Sequence, residues 1–257
     1  FSHEYINYAL GGTYRGSFRP LNDAIIAGRI RGVVADIGCN NARVCHDENH
    51  YYVVSEFLKN DVLVVQTGCG AIASAKKGYM TPEAAMEYAG PGLREVCEAV
   101  GIPPVLHLGA CVDNSRILTV LSQMATETGL GDDIADIPAV GMASEWMSEK
   151  ALSIATYCVA SGAYVIMAGG RNPVAGSPEV IRLMTEGWEK KVGGRLEFLD
   201  DPEEIVRRSL AHIDKKRAAL GLEEYNPAKW GKSGDWRIRE VLELPLEERL
   251  QAVYGRR

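Results

Sequence analysis

Six short runs of apolar, mostly β-branched residues recur along the chain. They are "RGVVADI" (31–37), "DVLVVQ" (61–66), "PVLHL" (104–108), "IPAVGM" (137–142), "AYVIMA" (163–168) and "RLEFL" (195–199), and amphipathic stretches of helical length lie between them. A strand that faces water on one side alternates polar and apolar residues. A strand buried on both faces reads as a continuous apolar run. Apolar strands alternating with helices make βαβ units, so the pattern predicts an α/β fold: a parallel sheet with helices on both faces.

Punctuation supports this division. Ser177-Pro178-Glu179 and Thr81-Pro82-Glu83 each place a cap residue before a proline at a first helical position. Asp201-Pro202-Glu203-Glu204 reads as a capping box. Gly129, Gly162 and Gly193 fit helix exits. The ends of the chain differ from the middle. Residues 1–20 read as loop-like, and 221–257 read as an extension ending in a polar helix candidate, "LEERLQAVYG".

Composition excludes several classes. A net charge of −6 without a basic stripe argues against nucleic acid. No apolar run reaches the length of a membrane span, and the N-terminus lacks the basic and apolar regions of a signal peptide. The six cysteines contain no CxxC pair, and a regular chain of 257 residues is not a disulfide-stapled miniprotein. A reducing, cytoplasmic setting follows, in which the thiols are core filler, nucleophiles or metal ligands.

Their positions separate these roles. After the first three strands come Gly38-Cys39-Asn40-Asn41, Thr67-Gly68-Cys69-Gly70 and Gly109-Ala110-Cys111. In open α/β sheets the ligand site lies beyond the carboxyl ends of the strands, so these thiols are expected to converge. Neighbouring glycines let a bulky group approach the backbone. A helix N-terminus favours thiolate, and thiolates select iron–sulfur clusters and soft or borderline metals. Any single cysteine is better read as filler; three at equivalent strand ends favour a shared site. Cys97 shares a helical face with Leu93, Val96 and Val100 and reads as core, as does Cys158. Cys45, with His46 and His50 close by, reads as a surface loop-to-helix segment. The fourth strand leads to Lys150, expected about two turns into the next helix. There a cation would meet negative charge on a substrate, and Ile154 one turn on would wall the pocket. His107 reads as a satisfied core histidine. "GGRNPVAGSPE" (169–179) fits no phosphate-binding pattern.

In this order, "GCNN" (38–41), "TGCGAIASAKKG" (67–78), "GACVDNSR" (109–116) and "SEWMSEKALSIA" (144–155) closely resemble the C-terminal domain of the anaerobic nickel-containing carbon monoxide dehydrogenases, over roughly residues 10 to 220. The resemblance implies a Rossmann-like domain at 1–220 and an extension at 221–257. It implies a Ni-Fe-S cluster with Cys39, Cys69 and Cys111 among its ligands. Lys150 would hydrogen-bond the bound carboxylate, and Ile154 would crowd the gas position. The reaction would be CO + H₂O ⇌ CO₂ + 2H⁺ + 2e⁻. It further implies additional 4Fe-4S clusters outside this chain, a homodimer, the remaining domains of the same subunit as partners, an electron carrier such as ferredoxin, and in some members acetyl-CoA synthase. The family's histidine ligand and other cysteine ligands belong to a preceding domain. The expectation is therefore a C-terminal portion of a longer subunit, holding an incomplete site that does not turn over alone.

Two alternatives stand beside this. The hybrid-cluster hydroxylamine reductases share the fold and have similar cysteine loops. They place a glutamate ligand two residues before the equivalent lysine, where this chain has Ser148. A metal-free Rossmann-like binding module would explain the sheet but not the three strand-end thiols.

Overall fold

The computed structural model describes residues 1–10, 17–127, 129–170 and 172–231. All six expected strands form: β1 (Gly32–Gly38), β2 (Val62–Thr67), β3 (Val105–His107), β4 (Ala139–Ala143), β5 (Tyr164–Met167) and β6 (Arg195–Phe198). They make one sheet of order β3-β2-β1-β4-β5-β6, and every pairing is parallel. The fold is α/β and Rossmann-like. Strand order reverses beside β1, between β2 and β4, which is where such sheets open a crevice at their carboxyl edge.

The helices are α1 (His3–Leu10), α2 (Arg19–Ile26), α3 (Glu48–Lys59), α4 (Gly68–Lys77), α5 (Ala84–Tyr88), α6 (Pro91–Val100), α7 (Asn114–Thr126), α8 (Glu149–Ala160), α9 (Pro178–Arg182), α10 (Trp188–Val192) and α11 (Pro202–Ala219). Strand residues alternate between faces, so β1 shows how the layers are arranged. Val33, Ala35 and Ile37 face Ile117 and Leu121 of α7 and Ala155 of α8. Asp36 points the other way, toward His50 of α3, and α3 in turn packs on α4 and α11. Helices thus cover both faces. Val34, Val64, Val105 and Ile166 are fully buried, as a doubly covered sheet requires.

Local signals vary in how they are used. Ser177 caps α9 by accepting from the Val180 N–H, and Gly193 ends α10 with φ +72°. Asp201 caps α11, but its side chain accepts from Glu203 N–H. The capping box does not close there, because Glu204 is drawn to Arg207 and Arg208 instead. Thr81-Pro82-Glu83 forms a turn ahead of α5 and does not start a helix; the Thr81 hydroxyl donates to the Gly78 carbonyl. Residues 3–10 are helical where a loop was expected, since Ile6 and Leu10, one turn apart, both reach the core. Residues 221–231 lie back against the domain. Tyr225 donates to Asp61 at 2.6 Å and Trp230 to the Gly28 carbonyl at 2.9 Å, while Arg31 and Arg29 sit over the two rings. The helix candidate 246–255 lies outside the described residues.

His212 of α11 packs at a tilt against Tyr164 of β5, ring centroids 4.8 Å apart. Burial, reinforced by the ammonium groups of Lys216 and Lys215, pushes its pKa down to about 4. An unfolded histidine takes up its proton near 6.5. Between those values the unfolded chain binds more protons, so His212 makes stability fall as pH drops from about 6.5 toward 4. His212→Phe should therefore lose less stability than wild type between pH 7 and pH 5, measured as urea midpoints at the two pH values. An equal loss in both proteins would show that His212 does not titrate this way.

Candidate metal centre

Each expected ligand stands at a strand end. Cys39 follows β1. Cys69 is the second residue of α4, directly after β2. Cys111 opens the single turn Cys111–Asp113 that leads into α7. The three loops are tied to one another through their backbones. Gly38 bridges Gly68 in parallel register, and Gly68 N–H donates to the Gly109 carbonyl at 3.0 Å. Gly68 has φ +65°, and a Cβ there would lie 2.5 Å from the Cys111 sulfur. Both the backbone conformation and the close approach of the thiol require glycine at this position.

The opening at this edge is lined by Cys39, Cys111, Asn114, Ser148, Lys150 and Ile154. Cys39 Sγ lies 3.8 Å from Ser148 Oγ. Cys69 is exposed beside it; Cys39 and Cys111 are half-buried. Burial raises the Cys111 pKa; Lys150 opposes the shift, and the nearby Cys39 and Cys69 thiols add to it. Cys111 thus lies within electrostatic reach of Lys150 and of both other strand-end thiols. Cys97 is buried in the core and Cys45 is exposed on the surface, as expected. Cys158 is half-buried and packs against the core, where burial pushes its pKa up to about 11. His107 accepts from Gly109 N–H through Nδ1, a satisfied histidine.

One placement differs from expectation. Lys150 lies in the first turn of α8, not two turns in, because Ser144–Met147 forms a turn and Ser148 occupies the cap position. Ile154 follows one turn later and lines the same opening. A lysine at a helix N-terminus faces the positive end of the dipole, which disfavours it by about 0.3–1 kcal/mol. That position makes sense where an anionic partner is to be met.

Sequence reasoning missed the support behind these loops. Asp36, His50, Ser144 and Glu145 are all buried. Asn40 donates to Asp47, which also pairs with Lys76. Asn41 Nδ2 donates to the carbonyls of Trp146 and Gly169, both at 2.9 Å. Glu145 accepts from Asp47 and Asn49 backbone N–H groups. The segment from Cys39 to His50 is thereby tied to the ends of β4 and β5. The available signal was Asp36 itself, a charged residue inside an apolar strand run.

Among the described residues no three His, Cys, Asp or Glu side chains converge as ligands of a single metal ion would. Three thiols arriving from separate strand ends are soft donors of the kind that iron–sulfur clusters and soft or borderline metals would take. The space a side chain would take at Gly68 is filled by the Cys111 sulfur, so glycine there is what lets the two cysteine loops meet. Behind the opening, an apolar cavity lined by Val33, Val65, Ile117, Leu121 and Ala155 shares Ile37 and Asn114 with it. Ile72, Val112 and Met147, next to these loops, are exposed apolar side chains. Among the described residues no helix is long and apolar enough to cross a membrane.

A sequence profile of the Prismane/CO dehydrogenase family matches residues 3–203. Carbon monoxide dehydrogenase 1 of Methanosarcina mazei is 50% identical over 222 residues, covering 86% of this chain and 34% of the relative. The solved carbon monoxide dehydrogenase IV from Carboxydothermus hydrogenoformans superposes with a TM-score of 0.82 at 44% identity, covering 86% of this chain and 36% of that one. A Ni-free, as-isolated carbon monoxide dehydrogenase from Thermococcus sp. AM4 superposes with a TM-score of 0.80 at 47% identity, covering 87% and 34%. The chain spans about a third of the length of these relatives.

The Gly68 geometry makes a direct prediction. Gly68→Ala should cost about 1–3 kcal/mol of stability and displace the Cys111 thiol. Chemical denaturation and thiol-alkylation rates of the metal-free chain would read both effects. Wild-type values in both would mean that the two loops are not packed as described.

Proposed function

For a chain that belongs to the Prismane/CO dehydrogenase family, we propose that these residues form one wall of an active site that interconverts CO and CO₂, with Cys39, Cys69 and Cys111 as ligands of a Ni-Fe-S cluster. The observation that carries this reading is that Cys39, Cys111, Lys150 and Ile154 line one opening, with the Cys69 thiol within electrostatic reach of Cys111. When bound, the cluster supplies redox chemistry and metal atoms that bind the substrate and activate water.

The chain's own groups act around it. Cys39, Cys69 and Cys111 offer thiolate donors from the end of β1, the start of α4 and the turn before α7. Lys150 donates from its ammonium group to an oxygen that becomes negative as CO and CO₂ interconvert; such charge-assisted bonds are strongest where water is excluded. Ile154 offers an apolar wall that a small gas tolerates and bulkier polar ligands do not. The apolar cavity behind Ile37 and Asn114, lined by no Asp, Glu, Lys or Arg, suits a small apolar molecule. The exposed Ile72, Val112 and Met147 suit a surface covered by further protein of the same subunit, which supplies the remaining ligands. Homodimerisation, an external electron carrier such as ferredoxin, and 4Fe-4S clusters outside this chain belong to the same reading.

The hybrid-cluster alternative is less well supported. At the position where that family places a glutamate ligand, Ser148 brings a hydroxyl toward Cys39. The high-identity relatives are named carbon monoxide dehydrogenases.

The test is the metal and sulfide content of the full subunit purified without oxygen, with turnover. About one nickel with several irons and sulfides per subunit is the expected result. Iron and sulfide without nickel, after nickel loading, would favour the hybrid-cluster alternative, and no metal in a folded, reduced protein would leave the binding module. Lys150→Ala should keep its metals and lose turnover by about 10²-fold or more, whereas Cys111→Ala should lose nickel or the whole cluster. Normal turnover in Lys150→Ala would remove Lys150 from the reaction.

A further inference from the structure

Asp36 lies in the middle strand of the sheet with no exposure to solvent. Its Oδ1 accepts from the Ser144 hydroxyl at 2.7 Å. Its Oδ2 accepts from Gln66 Nε2 at 2.8 Å and meets His50 Nδ1 at 2.7 Å. The His50 ring, also fully buried, then meets the main-chain carbonyl of Cys39 through Nε2 at 2.9 Å. A carbonyl oxygen only accepts, so Nε2 carries the hydrogen. Asp36 and Gln66 are register partners on β1 and β2, and each stands three residues before a strand-end cysteine. Ser144 follows β4 and opens the segment that ends at Lys150.

The ring also touches the second ligand loop. A Cβ on Gly70, next to Cys69, would lie 2.9 Å from His50 Cε1, so the imidazole occupies the space that a side chain there would need. One buried carboxylate and one imidazole therefore brace the Cys39 loop, the start of the Cys69 helix and the root of the Lys150 segment. A sheet position of this kind is more simply filled by an apolar residue, because burying an ionisable pair yields little net stability. Here the pair's direct hydrogen bond to a cysteine loop goes to the Cys39 carbonyl.

We propose that Asp36 and His50 are positioning residues for Cys39: the Asp36–His50–carbonyl chain fixes the orientation of that loop and tunes the reduction potential of the cluster it holds. The inference rests on the reading of Cys39 as a ligand. Groups that orient the residues around a metal, and N–H donors near its ligands, adjust its potential without touching it. A donor that withdraws electron density from the Cys39 peptide favours the reduced cluster, so its loss lowers the midpoint potential.

The test uses the full subunit with two variants. His50→Gln disrupts the chain at its centre, and Ser144→Ala removes one hydroxyl and leaves the pair in place. Redox titration followed by electron paramagnetic resonance should give a lower midpoint potential and altered cluster signals in both, more so in His50→Gln, with metal content in Ser144→Ala at the wild-type level. In the metal-free chain, alkylation of Cys39 should speed up several-fold relative to exposed Cys45, read by peptide mass spectrometry. Should His50→Gln fail to fold or to load, Ser144→Ala decides. Unchanged potential, spectrum and Cys39 alkylation in that variant overturn the proposal. If wild type itself holds no cluster, the ligand reading fails, and the alkylation rates alone decide whether the clamp exists.

Discussion

A carboxylate sealed inside a parallel sheet must find every hydrogen bond within the protein, and Asp36 finds three. That requirement ties β1 to β2, to the end of β4 and to α3 at a single point. The loops that leave these elements are the ones carrying Cys39, Cys69 and Lys150. Main-chain pairing fixes the strands relative to one another. The Asp36 network adds side-chain ties to loops whose backbones meet at Gly38, Gly68 and Gly109. An unpaired buried partner in such a network costs about 1–3 kcal/mol, so the loops are held by more than packing.

Much of the fold could be read from the residues because burial on both faces leaves a simple trace. All six strands lie within the apolar runs or one residue beyond, and even β3, only three residues long, was marked by "PVLHL". The three thiols were legible for a topological reason: strand ends in a parallel sheet share one edge, so equivalent positions meet although they are distant in sequence. What could not be read was anything decided by side-chain direction. The turn at Ser144–Met147 carries no glycine or proline, and its buried Glu145 and Trp146 pass for a helical pattern, so Lys150 was expected too far along. His50 stood out only as a neighbour of Cys45. Its true partners, Asp36 and the Cys39 carbonyl, are set by how α3 lies on β1.

The opening is electrostatically mixed. Three cysteines gather on one side, and Lys150 stands at the N-terminus of a helix, where the dipole works against it. At the lysine, local helix preference and its place at the opening conflict. Conflicts of this kind concentrate where chemistry, and not folding, selects the residue.

The strand order also divides the site by half-sheet. β1, β2 and β3 supply every thiol, and β4, beyond the reversal, supplies the ammonium group. During synthesis the chain emerges N-terminus first, so all three strand-end cysteines are made before Lys150 exists. Until then the nascent half-domain has neither the Lys150 ammonium group nor α8 to set beside the three cysteines. For that interval its safety from oxidation depends on the reducing power of its surroundings and not on any shelter the finished fold provides.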